Sequence, residues 1–301
     1  GKSFIIANCM ANAQKDHGAF CILIDTEKAG NVGFYKNIGV DVSEDSFMYI
    51  SASTHGDVID VMSDFFAKYK EAYGLDNPEG PPVVVVLDSI NGLITERDSD
   101  LFEKGDMKGV QGQDQKQGKQ LMKLLRSKFS RINITFMFAM HVYANQDLTN
   151  GKGTHVLTEA YKYELSQVFM VTNKGLKTEE LTYADAKAVS DKTQRFAGVS
   201  MKVTGVKTRF TQNNRSAEFD VPYKTGLSRL SNLLDMLLPL GVVSKSGAWW
   251  VYTDSETGVV SKFYEKDLTD ELAEKMLRHP SVKADEENFQ HGIEQQEEGD
   301  D

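Results

Sequence analysis

Cysteine is scarce: Cys9 and Cys21 are the only two in 301 residues. Two thiols supply neither a disulfide framework nor a metal-ligand spacing. They favour a reducing compartment, so a cytoplasmic location (the host's cytoplasm if the chain is viral) is expected. Long apolar runs are missing as well. No window approaches the ~18 uninterrupted apolar residues of a membrane span and no signal peptide is visible, so no membrane partner is expected. Cations are in deficit, 34 against 44 acids, for a net charge of −10. That deficit is local. Residues 284–301 hold Asp285, Glu286, Glu287, Glu294, Glu297, Glu298, Asp300 and Asp301 with no Lys or Arg, which leaves the other 283 residues at −2. A nearly neutral body does not exclude a nucleic-acid partner. The tail reads either as an interaction and self-masking segment or as a solvated end. Its composition otherwise, 40% hydrophobic and 26% charged, is that of a globular chain with room for a large domain and a smaller one.

What is present is organised around Val83-Val84-Val85-Val86-Leu87-Asp88. An unbroken apolar run reads as a strand buried on both faces, the centre of a parallel sheet covered by helices. Pro81 and Pro82 fix its start. Phe20 to Ile24, Phe47 to Ile50 and Ile134 to Met140 read as further strands. Ser3 to Gln14, Gly56 to about Tyr73, and a segment marked by Leu121, Leu124, Leu125 and Phe129 read as the helices between them. Strands are also expected at Val168 to Val171, Met201 to Val206 and Ser216 to Val221. The span 176–198 is a charged excursion of helical propensity. Strands alternating with helices argue for a doubly wound α/β core. Near Tyr223 the texture changes. A leucine-rich helix from Leu227 to Leu238, a small β element around Trp249-Trp250 and Phe263, and a last helix up to Pro280 suggest a small appended domain.

The chain opens on Gly1-Lys2-Ser3, the last three residues of the phosphate-loop pattern G-x-x-x-x-G-K-[ST]. In such a loop the Lys reaches phosphate oxygens and the hydroxyl coordinates Mg²⁺. An acid ending a central strand, Asp88, is placed to hold that ion; the alternative is an Asp capping the next turn. Together they suggest a nucleotide triphosphatase. Asp25-Thr26-Glu27 ends the neighbouring strand, so Glu27 is a candidate general base, or simply a helix N-terminal acid. His141 closes a strand where it serves either as a γ-phosphate sensor or as packing. Two polar, glycine-bearing loops follow strand ends. The first carries Arg97, Lys104 and Lys108; the second carries Tyr143, Asn145 and Lys152. Cations and an aromatic suit a single-stranded phosphate backbone, while ordinary surface loops remain the alternative. Lys207 and Arg209 alternate on a strand and share a face, to meet phosphate or solvent.

In this order and spacing the residues resemble the RecA-type recombinase family, most closely its phage UvsX-like branch. The resemblance runs from Gly1 to about Trp250. It rests on Gly1-Lys2-Ser3, Ile24-Asp25-Thr26-Glu27, Tyr35 through Gly39-Val40-Asp41, Val86-Leu87-Asp88-Ser89, His141, Lys207-Thr208-Arg209, Tyr223 to Gly226 with Leu234-Asp235, and Gly247-Ala248-Trp249-Trp250. It implies a RecA-like phosphate-loop NTPase core over 1–224 with a mostly parallel sheet, a small C-terminal α/β domain over 225–283, and an acidic disordered tail over 284–301.

The resemblance also implies roles. Gly1, Lys2, Ser3, Asp88 and Ser89 would bind ATP, with Ser3 and Asp88 on Mg²⁺ and Phe34 near the adenine. Glu27 would polarise the attacking water. His141 stands where bacterial members carry Gln and would couple the γ-phosphate to the second loop. Lys207 and Arg209 would reach a neighbouring subunit's nucleotide. Loops 97–112 and 142–158 would bind DNA. The implied activity is a DNA-dependent ATPase that forms helical filaments on single-stranded DNA and pairs it with homologous duplex, served by mediator and single-strand-binding proteins. A ring helicase on the same core and a non-catalytic regulator are the alternatives. Three departures stand out. The family's residues before Gly1, including the first Gly of the phosphate loop and a segment that docks onto the next subunit, are expected to be missing. The second loop lacks dense glycines, and 176–198 matches no family role.

Overall fold

A computed structural model describes residues 1–28, 31–74, 77, 79–105, 113–144, 155–156, 161, 163–177, 196–209, 214–223, 226–227 and 230–284. The chain divides into two compact units, Lys2–Leu165 and, with Gly1, Ser166–Asp301.

In the first unit four parallel strands run in the order β2-β1-β3-β4, where β1 is Phe20–Asp25, β2 Phe47–Ser51, β3 Val83–Asp88 and β4 Ile134–Phe138. β1 and β3 are inner strands, and both are apolar up to a terminal Asp because both faces are covered. Ile22, Ile24, Val83, Val85 and Leu87 face one cluster with Val58, Met62 and Tyr69 of α3 (His55–Tyr73) and Leu121, Leu125 and Phe129 of α5 (Gln113–Phe129). Cys21, Leu23, Val84 and Val86 face the other, with Ile6, Ala7 and Met10 of α1 (Lys2–His17) and Tyr35 of α2 (Val32–Ile38). Each aliphatic side chain buried in this way contributes about 1.5–3 kcal/mol, which outweighs any local propensity. The Phe20↔Val83 to Asp25↔Asp88 register places both terminal carboxylates at one sheet edge.

Local sequence sets the helix starts. Thr54 Oγ1 accepts the Asp57 N–H at 3.1 Å while Asp57 Oδ2 accepts the Thr54 N–H at 2.8 Å, a reciprocal cap that opens α3. A similar pair corrects the first part of the expected loop over 97–112, of which 106–112 lie outside the described residues. Thr95 Oγ1 accepts the Asp98 N–H at 3.1 Å and donates to Asp98 Oδ2 at 2.7 Å, so a helix, α4 (Glu96–Glu103), starts there. In the second expected loop, Tyr143–Ala144 (β5) and His155–Val156 (β6) pair as a short antiparallel ladder. Leu124, expected to face the sheet with Leu121 and Leu125, is instead 40% exposed.

In the second unit β7 (Gln167–Lys177), β8 (Phe196–Thr208) and β9 (Ser216–Pro222) form an antiparallel sheet of their own. These are the strands expected as further members of the alternating core. For β8 and β9 the physical reason lies in the connection: residues 209–215 are too few for a parallel crossover, which needs a dozen or more. The flanks of the expected helical excursion at 176–198 belong to β7 and β8, and 178–195 lie outside the described residues. Further on, α6 (Leu233–Leu237), β10 (Val243–Ser246), β11 (Trp249–Thr253), β12 (Val260–Phe263) and α7 (Asp270–Leu277) enclose a core of Leu233, Leu234, Leu237, Val243, Trp250 and Met276. The leucine-rich helix is shorter than expected, five residues. Among the described residues, no helix is long and apolar enough to cross a membrane.

Candidate functional site

The parallel strands of the first unit end at a cleft of about 340 Å³ lined by Ser3, Asp25, Glu27, Asn31, Phe34, Tyr35 and Asp88. Each lining residue is placed by a local device. Ser3 sits in the first turn of α1, which carries no acidic residue of its own there; the acid beside the positive end of the helix dipole is Asp88 of β3. Its hydroxyl donates to Asp88 Oδ2 at 2.7 Å, which joins the helix start to the tip of β3. Asn31 caps α2, accepting the Gly33 N–H at 2.8 Å, and Phe34 on the next turn stays 37% exposed at the cleft. Tyr35 is buried against Phe34, ring edge to ring face at 5.3 Å. Burial, followed by the Asp88 and Asp25 charges, pushes its phenol well above the usual tyrosine range.

Glu27 leaves the tip of β1 with its carboxylate half-exposed. Oε1 accepts from Ser89 Oγ at 2.7 Å and lies 2.8 Å from His141 Nε2. The Ser89 bond, then the His141 bond, hold its carboxyl below the usual carboxylate range, so Glu27 is ionised at neutral pH. Lys2 Nζ lies 3.4 Å from His141 Nδ1. A neutral imidazole with its proton on Nε2 satisfies both contacts, accepting from Lys2 and donating to Glu27. The His141 backbone N–H is itself fixed by Asn91 Oδ1 at 2.7 Å. Lys2, His141, Glu27 and Ser89 thus form one hydrogen-bonded chain across the tips of β1, β3 and β4.

Two further devices hold those tips. Buried Thr26 donates to the Ser89 carbonyl at 2.6 Å and accepts the Ser89 N–H at 3.0 Å, which zips β1 to β3 just past their last paired residues. Asp25 Oδ1 accepts the backbone N–H groups of Glu27 and Lys28, each at 3.0 Å, and Oδ2 accepts from Tyr49 Oη at 2.7 Å. Lys28 stands at φ 55°, a left-handed conformation costing a non-glycine residue about 1–2 kcal/mol, which the bond from its N–H offsets.

Lys2, Ser3, Glu27, Phe34, Asp88, Ser89 and His141, all singled out in the sequence, are therefore gathered at one sheet edge. Gly1 is the exposed residue leading into α1. Arg97 is exposed in the first turn of α4 and Lys104 is exposed just past its end. Tyr143 lies in β5. Lys108, Asn145 and Lys152 lie outside the described residues. Lys207 belongs to β8 and Arg209 follows it, both in the second unit, with the Arg209 N–H bonded to the Ser166 carbonyl at 3.1 Å. Asp25, Asn31 and Tyr35 line the cleft and Thr26 and Tyr49 brace its strand tips, places the sequence signals do not assign. An acid at a strand end is a legible signal for Asp25, whereas the Tyr49 partnership spans 24 residues without any motif.

The chain is similar to RecA proteins along most of its length. It is 25% identical over 292 residues to Protein RecA of Clostridioides difficile (strain 630), covering 92% of this chain and 73% of that protein. To Protein RecA of Aquifex pyrophilus it is 26% identical over 307 residues, 96% of this chain and 76% of the other. For Protein RecA of Campylobacter jejuni subsp. doylei the figures are 27% over 266 residues, 86% and 67%. No protein-family model matches the chain. The α/β unit with its four-stranded parallel sheet is a RecA-like core, and the cleft lies at the C-terminal edge of that sheet, where open α/β sheets place their ligands.

Proposed function

We propose that the chain is an ATP-hydrolysing recombinase acting on single-stranded DNA, of the phage UvsX-like branch of the RecA type. The observation that carries this reading is the Ser3–Asp88 hydrogen bond beside a Glu27 carboxylate held by Ser89 and His141. The donor set fits Mg-ATP. A hydroxyl and a carboxylate in contact are hard oxygen ligands suited to Mg²⁺, while the Lys2 ammonium and the start of α1 suit phosphate anions. Phe34 and Asn31 supply an apolar face and an amide for a base, and Gly1 leads the backbone into the site. Bound Mg-ATP supplies the phosphoanhydride and the divalent charge.

The residues then divide the work. Lys2 and Ser3 bind and orient phosphate, and Asp88 holds the metal's surroundings. Glu27 Oε1 is engaged by Ser89 and His141, so Oε2 is the oxygen that takes a proton from water. His141 links Lys2 to Glu27 and begins the segment 142–158, which makes it the coupling residue between phosphate and that segment. Arg97, Lys104 and Lys108 with Tyr143, Asn145 and Lys152 form the DNA-contacting set, and Lys207 with Arg209 reaches nucleotide on a neighbouring subunit. Filament formation, pairing with homologous duplex, loading by mediator and single-strand-binding proteins and a cytoplasmic setting complete the proposal. So does the reading of 225–283 as an appended domain beside a 1–224 core, supported by the separate apolar cluster around Trp250.

Steady-state ATPase with and without single-stranded DNA tests the reading. DNA-stimulated turnover is expected, and Glu27→Gln should lower it about 10²–10⁴-fold while retaining nucleotide binding. A less than threefold fall removes Glu27 as the base. Electron microscopy with single-stranded DNA and an ATP analogue should show extended filaments; closed rings would favour a helicase.

A further inference from the structure

The anchoring of Glu27 has two parts that act on different atoms. Ser89 and His141 hold the carboxylate, whereas Asp25 holds the backbone, because its Oδ1 accepts the N–H groups of Glu27 and Lys28 at 3.0 Å each. Tyr49 on the edge strand β2 engages the other oxygen, its hydroxyl donating to Oδ2 at 2.7 Å. The pairing Leu23↔Tyr49 puts Tyr49 two residues behind Asp25 on the same sheet face, so its ring lies along the strand toward the tip. Asp25 is buried, only 5% exposed, and leaving a buried polar group without a hydrogen bond is costly.

We infer that Tyr49 and Asp25 are positioning residues for Glu27, a pin from the edge strand that fixes where the base's main chain leaves β1. Glu27 itself has a half-exposed side chain, and its two carboxylate contacts come from residues 62 and 114 positions away. Both of those contacts fall on Oε1, so with the backbone unfixed nothing else would set where Oε2 lies. Lys28 at φ 55° holds a conformation that costs a non-glycine residue, and the bond from its N–H to Asp25 works against that cost. The same bond pushes the Tyr49 phenol up to about 12, so the donor stays protonated across the physiological range. The catalytic consequence rests on the proposed role of Glu27, but the pin itself does not.

Two measurements on the full chain separate these levels. The first needs no nucleotide: amide hydrogen exchange over Glu27–Lys28 should accelerate in Tyr49→Phe, which keeps the ring and removes the hydroxyl, and more so in Asp25→Asn. Unchanged exchange in both variants overturns the pin. The second is ATPase kinetics. Tyr49→Phe is expected to lower kcat about tenfold and Asp25→Asn up to about 10²-fold, because a displacement near 1 Å costs that much, while KM for ATP stays within twofold in Tyr49→Phe. In a Glu27→Gln background, Tyr49→Phe should cause no further loss. A rise in KM at constant kcat, or an undiminished loss in the Glu27→Gln background, overturns the positioning role. If Glu27→Gln alone hydrolyses like the parent chain, the base assignment falls and the catalytic consequence with it. Exchange then still decides whether the pin exists.

Discussion

Adding one methyl group at Gly92 is expected to unfasten the strand tips without replacing a residue of the proposed chemistry. Gly92 ends a short 3-10 turn, Ile90–Gly92, and its backbone is not in the left-handed region, so alanine meets no conformational penalty. The cost is steric. A β-carbon built at Gly92 falls on Thr26 Oγ1 and lies 2.9 Å from Thr26 Cβ. Thr26 is 8% exposed and Ser89 fully buried, and the threatened hydroxyl makes both hydrogen bonds that zip β1 to β3. Overpacking costs about 1–3 kcal/mol. Stranding the buried Ser89 N–H adds about 1–3 kcal/mol, so Gly92→Ala should destabilise the first unit by about 2–4 kcal/mol once partial relaxation is allowed. Thr26→Ala loses the same two bonds and opens the space the new methyl needs. The double variant should therefore cost less than the sum of the two single ones, by about 1 kcal/mol or more. Urea unfolding followed by far-UV circular dichroism measures all three. A Gly92→Ala cost under about 0.5 kcal/mol, or strict additivity, would refute the reasoning.

Other expectations are independent of that zip. The Ser53 and Thr54 N–H groups hold the Asp57 carboxyl below its ordinary value of 3.8. A depressed folded value means that Asp57 contributes stability above pH 3.8, and that this is lost as pH falls through the folded value. Asp57→Asn should accordingly cost about 1 kcal/mol at pH 7 and progressively less as the pH is lowered below 3.8, as read from paired thermal melts; a gap independent of pH would contradict this. Removing 284–301 deletes eight acids and should raise affinity for single-stranded DNA, most at low salt, in fluorescence anisotropy; equal affinity at two salt concentrations would make the tail a solvated end. Lys207→Ala/Arg209→Ala should bind ATP as a monomer but lose DNA-stimulated turnover. A cation supplied by a neighbour is worth about 10³–10⁵ in rate, so mixing with Lys2→Ala should restore part of the activity. No recovery in demonstrated co-assemblies would show that the cations do not act across subunits.

The parallel core was legible because hydrophobic burial writes itself locally. Val83–Leu87 and Phe20–Ile24 are apolar at every position, and a strand covered on both faces has no other pattern available. The Lys2-Ser3 pair and Asp88 were legible for a related reason: phosphate and Mg²⁺ demand particular residue types at a helix start and a strand end. The α4 start at Thr95 was present in the sequence too, as a Thr-x-x-Asp cap, but the polarity of 96–112 hid it. The antiparallel pairing of β7 to β9 was not legible from apolar content. Strand direction follows from connection length and from which edges meet, and a strand's composition reports neither. Only the tertiary structure shows that Tyr49 reaches Asp25, that Thr26 clasps Ser89, and that one imidazole joins Lys2 to Glu27 across 139 and 114 residues of chain. Such contacts are single polar bonds between strand tips. They repeat with no period and bury little area, so they leave no trace in a linear pattern and exist only once the sheet register has brought the tips together.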